Sequence, residues 1–166
     1  MWASSRLKTY TAFFVLFFLE ASFFSRFRIC GASPELLLAA VIFFGFHFGT
    51  ARGAETGLVA GFLKDVFSTT GFGVNTFSFL LAGALAGYLK KKLARENFVI
   101  EFFISAAAVY LVAGVSFLEL SRFTGGAMLA GFWGIVFHKS LYTAFTAPLL
   151  FFSLGKIFTP VETSRI

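Results

Sequence analysis

Residues 44–93 read FGFHFGTARGAETGLVAGFLKDVFSTTGFGVNTFSFLLAGALAGYLKKKL and hold most of the glycine and charge punctuation of an otherwise apolar chain. Gly45, Gly49, Gly53, Gly57 and Gly61 recur every four residues, and Gly83 and Gly87 repeat the spacing one segment later. Helix positions four apart share a face, so each glycine pair leaves a groove into which another backbone fits. Lipid gives helices no hydrophobic reason to associate, and small-residue grooves are how a membrane bundle packs. The stretch therefore predicts three closely packed membrane helices. Lys64-Asp65 and the loop at 68–74 are left as the features to explain.

Composition points the same way. Of 166 residues, 58% are hydrophobic, 27 are Phe and 13% are charged, against about 25% charged in a soluble domain. The mean hydropathy is +0.84. A single integral membrane domain over 1–166 is expected, all-α and polytopic. The formal charge of +6 comes from basic residues scattered between apolar runs, which is no footprint for nucleic acid. It suits topology marking and contact with membrane lipid headgroups. Cys30 is the only cysteine, so an intrachain disulfide, a thiolate metal cluster and a redox pair are excluded.

Outward from the central stretch, about six transmembrane helices are expected, at 8–25, 34–49, 53–67, 74–89, 98–118 and 138–158, with 126–137 interfacial or re-entrant. The apolar run at 9–19 follows a short basic start but lacks a small-x-small cleavage site, so it reads as a first span instead of a cleaved signal. Pro34-Glu35 is a helix start: proline has no N–H to leave unpaired there, and a carboxylate suits the positive helix end. Thr50-Ala51-Arg52 reads as a tight connection. That leaves the third span about fifteen residues, or about 22 Å, against a hydrocarbon core of about 30 Å; it needs shelter from its neighbours. Pro148 is expected to bend the last span.

Six spans put both termini on one side. With the termini in the cytoplasm, Arg6, Lys8, Arg52, Lys90, Lys91, Lys92, Arg95, Lys156 and Arg165 lie inside, and Arg26, Arg28, Lys64, Arg122 and Lys139 lie outside or at the outer interface. Lys90, Lys91, Lys92 and Arg95 form the densest cluster and set the orientation by the positive-inside rule.

Asp65 has two readings. It is an intramembrane carboxylate that binds a cation, a substrate or a partner, or it is a structural cap, paired with Lys64 or bonded to the Ser68-Thr69-Thr70 loop. Glu20, Glu35, Glu55, Glu101 and Glu119 fall near span ends and read as interfacial, and Arg52 and Glu55, three apart, suit a weak helix-surface pair. His47 and His138 have no second ligand at metal spacing, so each reads as a hydrogen-bonding histidine and no metal is expected. Gly71-Phe72-Gly73 lacks the strand and third glycine of a dinucleotide fingerprint. No cofactor and no catalytic residue is expected.

Pro34-Glu35, then GLVAGFLKD at 57–65, then a short glycine loop before a span ending in lysines, resembles the rod shape-determining protein MreD family. The likeness is sharpest at Gly57, Gly61, Asp65 and Gly71 and extends over most of the chain through size, span number and charge layout. The resemblance implies a bacterial inner-membrane protein without catalytic activity. It would work in lateral peptidoglycan synthesis with MreC, the actin-like MreB, a SEDS glycosyltransferase and a class B penicillin-binding protein. Lys64, Asp65, Gly71 and Gly73 are then the candidates for binding an MreC-like partner. The family is also similar to the substrate-binding S components of energy-coupling-factor vitamin transporters, likewise six-helix bundles. An S component needs a small-residue face on its first span, where this chain offers only Ala12 and Ala21 among many Phe.

Overall fold

The run LLLAAVIFF at 36–44 has no polar position on any side, and such a helix belongs inside a bundle. The computed structural model, which describes residues 2–24, 33–67, 73–92, 98–123 and 129–158, places it there. Helix α2 (Leu36–Phe48) is buried without interruption from Leu36 to Phe46. Around it stand α1 (Trp2–Leu19), α3 (Thr50–Phe67), α4 (Val74–Lys92), α5 (Phe98–Phe123) and α6 (Leu129–Phe158), each in contact with it. The described residues are all-α, 96% helical with no strand. Phe13, Ile42, Phe43 and Phe79 are among the fully buried side chains of the core. Phe14, Phe18, Phe67, Phe77, Phe145 and Phe152 point outward, an apolar exterior that suits lipid.

The short helix is not the one expected. α3 begins at Thr50 and has 18 residues, because Thr50-Ala51-Arg52 is its first turn and Gly49 alone makes the connection. Gly49 has φ 92° and ψ 176°, a combination open almost only to glycine, and its N–H still bonds Gly45 O at 2.9 Å. One residue thus reverses the chain. α2, with 13 residues, spans only about 20 Å, and it is α2 that needs shelter. The surrounding helices provide it, so none of its backbone has to face lipid alone.

α3 and α4 form the most intimate pair, and α2 packs on both. A Cβ on Gly53 would collide with Gly83 O, one on Gly57 with Phe79 O, and one on Gly83 with Gly53 O. At Gly61 it would lie 2.5 Å from both Asn75 O and Thr76 Cα. Gly45 meets Gly83 and Gly87, and Gly87 meets Thr50, so the three helices converge backbone to backbone. Gly49, grouped with this stripe by its spacing, has nothing within 4 Å of its Cβ position; it serves as the turn.

The ends differ from expectation in two more places. Residues 129–158 form one 30-residue helix with Pro148 inside it, so the expected separation of 126–137 from a sixth span starting at 138 is not present. Gly134 has open space around it and interrupts nothing, and a lone glycine weakens a helix without ending it. α1 ends in a π-helical turn, Glu20–Phe24. Among the described residues two stretches are long and apolar enough to cross a membrane, Val99–Leu118 and Phe132–Phe158.

Candidate functional site

The π turn carries Glu20 to the start of α2, where its Oε2 accepts the Leu37 N–H at 2.9 Å. This takes one of the N–H groups that a helix start leaves unpaired. Glu35, the residue before α2, makes no side-chain bond to its own helix, and its N–H donates to Thr143 Oγ1 on α6 at 3.1 Å. Its carboxylate is therefore free to face sideways. Only 3% of Glu35 is exposed, and its Oε1 accepts hydrogen bonds from the ammonium groups of Lys64 on α3 and Lys139 on α6, the latter at 2.7 Å. Lys64 also lies 3.9 Å from Glu20 and 5.1 Å from the Phe79 ring centroid. One carboxylate and two lysines thus tie α2, α3 and α6 together, with Glu20 of the π turn beside them. A buried charge is tolerable when paired in this way.

Asp65, one residue past Lys64, points elsewhere. Its Oδ2 accepts from Gly73 N at 3.0 Å, Thr76 N at 2.9 Å and Thr76 Oγ1 at 2.5 Å. Its Oδ1 accepts from Asn75 N at 3.1 Å and Asn75 Nδ2 at 2.9 Å. The last turn of α3 therefore caps the first turn of α4, and the carboxylate meets the positive end of that helix. With 2% of Asp65 exposed and both oxygens engaged, no face of it remains for a partner. Lys64 pairs with Glu35 and Glu20 instead of with Asp65. Gly73, with φ +99°, makes the turn into α4 that brings its N–H onto Asp65. Gly71 and Ser68-Thr69-Thr70 lie outside the described residues.

Beside the ion cluster is a half-open cavity of about 250 Å³, lined by Glu35, Lys64, Lys139 and Asn75 on its polar side and by α5 and α6 residues such as Val112, Phe132 and Val136 on the other. Glu35 Oε2 is buried and has no hydrogen-bond partner among the described residues. The cavity wall thus carries two lysines and a carboxylate, one oxygen of which has no partner among the described residues.

At the opposite end of the bundle, Lys90 Nζ donates to His47 O at the close of α2 at 2.7 Å, a cation on a negative helix end. The side chains of Lys91 and Lys92 and all of Arg95 lie outside the described residues. Tyr10 OH donates to Glu55 Oε1 at 2.7 Å, tying α1 to α3, and Arg52 lies 3.9 Å from Glu55. His47 Nδ1 lies 3.1 Å from Phe43 O, and His138 Nδ1 lies 2.8 Å from Gly134 O.

The ion cluster escaped the reading of the sequence, which placed Glu20, Glu35 and Lys139 at interfaces. The usable signal was Lys139: apart from Lys156 near the end, it is the sole lysine, arginine or acidic residue of α6, and a charge so placed needs a partner.

Two comparisons, with curated proteins and with solved structures, gave no match. The family model for the rod shape-determining protein MreD matches residues 5–159, nearly the whole length. That family is membrane-associated and its role is in rod shape determination, in keeping with the two membrane-length apolar helices. The chain belongs to the rod shape-determining protein MreD family.

Proposed function

We propose that the chain is a non-catalytic adaptor of the bacterial inner membrane that binds an MreC-like partner and supports lateral peptidoglycan synthesis. The family match over residues 5–159 carries this reading. An MreB-like actin, a SEDS glycosyltransferase and a class B penicillin-binding protein belong to the wider assembly. We place the partner at the connection between α3 and α4. The glycine contacts hold α3 against α4 without slack, and Asp65 fixes the start of α4 to the end of α3. The candidate interface follows from the family resemblance, which is sharpest at Gly57, Gly61, Asp65 and Gly71 around the connection between these two helices. Both Asp65 oxygens are occupied within the fold, so of the candidates from the resemblance the proposal is put to the test at Gly71.

The rival reading, a vitamin-binding S component, draws on the cavity beside Glu35. At about 250 Å³ it lies below the roughly 300–1,000 Å³ of sites that enclose a drug-sized ligand, and the wider groove between α1 and α6, about 520 Å³, has no charged lining residue to orient a vitamin; both favour the adaptor. The test is co-purification of an MreC-like partner from detergent with wild type and with Gly71→Val. Partner recovery per folded molecule should fall roughly ten-fold or more, as on loss of a central contact. Unchanged recovery with normal folding would place the interface elsewhere.

A further inference from the structure

We propose that the cavity between the ion cluster and the α5–α6 pair is a binding site for a zwitterionic headgroup carrying a phosphate or carboxylate and a primary ammonium, as in phosphatidylethanolamine. Three observations converge on this chemistry. An ammonium group has three N–H donors; Lys64 and Lys139 each give one to Glu35 Oε1, and beyond the Glu20 carboxylate, 3.9 Å from Lys64 and outside hydrogen-bond range, neither meets a further acceptor among the described residues. They can hold an anionic oxygen. Glu35 Oε2, buried and without a partner among the described residues, needs a donor, and a primary ammonium supplies one. The remaining walls, among them Val109, Val112, Ile135 and Val136, are apolar and suit the first carbons of an acyl chain.

Charge selects between headgroups. Glu20 and Glu35 against Lys64 and Lys139 sum to zero when all four are ionised. A ligand with net charge would leave the buried cluster unbalanced, at high cost where water is scarce. A neutral zwitterion adds one charge of each sign and places each beside its opposite. A quaternary ammonium has no N–H for Glu35 Oε2. The half-open, headgroup-sized volume leaves all but the first acyl carbons outside, against the apolar surface of the bundle.

The experiment uses the full chain in detergent, titrated separately with phosphatidylethanolamine, phosphatidylcholine and phosphatidylglycerol, with binding followed by native mass spectrometry and by thermal unfolding. Phosphatidylethanolamine should bind saturably, and the other two at least roughly ten-fold more weakly, the loss expected for one charge-assisted hydrogen bond. Two variants reach the site independently. Lys139→Ala removes an ammonium, and Ala113→Phe fills the cavity without touching a charge. Either, if folded, should abolish the preference. Competition by soluble phosphoethanolamine would support the site with a water-soluble ligand as its source, and saturable lipid binding without such competition would support it with the lipid as source. Equal binding of the three lipids by wild type, or undiminished selectivity in folded Ala113→Phe, would overturn the proposal.

Discussion

Asp65 and Glu35 are both buried acidic residues near helix ends, yet they do different work because of what each meets. Asp65 faces three backbone N–H groups of the next helix start, and Glu35 faces two lysines from distant segments. Asp65→Ala should therefore destabilise the protein by about 2–4 kcal/mol, the loss of a helix cap plus unpaired buried N–H groups. Asp65→Asn, which keeps one acceptor oxygen, should lie between the two in thermal unfolding in detergent. Equal melting of Asp65→Ala and wild type would show that the cap contributes nothing. The two residues also show what a sequence discloses at this scale. The cap joins residues 8 to 11 apart, and a structural cap was one of the two readings open for Asp65. The bond between Glu35 and Lys139 joins residues 104 apart. No local spacing encodes that separation; only packing α6 against α2 creates it.

At the scale of elements, the glycine stripe ties sequence to packing most directly. A period of four puts Gly53, Gly57 and Gly61 on one helix face, and the structure fills that face with the backbone of α4. Gly57→Leu or Gly61→Leu should lower stability by roughly 3 kcal/mol or more, at the upper end of overpacking, since the obstacle is main chain and cannot rotate away. Gly134→Leu, where nothing lies within 4 Å, is the matched control and should accumulate and melt like wild type. Normal melting of both α3 variants would remove the close-packed hairpin from the account. Gly49 marks the limit of period reading, since spacing places a residue on a face but does not register a positive φ. The same limit explains why the boundary of α3 fell three residues late. The continuous α6 was missed for a different reason: its apolar length exceeds one membrane crossing, and a helix held by α5 and α2 does not have to stop where the hydrocarbon does.

For the whole molecule, an all-helical bundle was legible because only helices and closed barrels satisfy the backbone in lipid, and the continuous apolar runs lack the alternation of barrel strands. The central position of α2 was not read from the sequence, which assigned the need for shelter to the third span, although the run at 36–44 has no polar face. Membership of the MreD family joins this bundle to rod shape determination. The orientation expected from the charge layout puts Glu35 and Lys64 on the outer side and Lys90 on the cytoplasmic side, and it stands as a proposal. Both the partner interface and the headgroup site rest on that orientation. The most direct test is a set of reporter fusions after Thr70, Ala94 and Thr163 in a rod-shaped bacterium. The account predicts a periplasmic signal after Thr70 and cytoplasmic signals after Ala94 and Thr163. A cytoplasmic signal after Thr70, or a periplasmic one after either of the others, would contradict it.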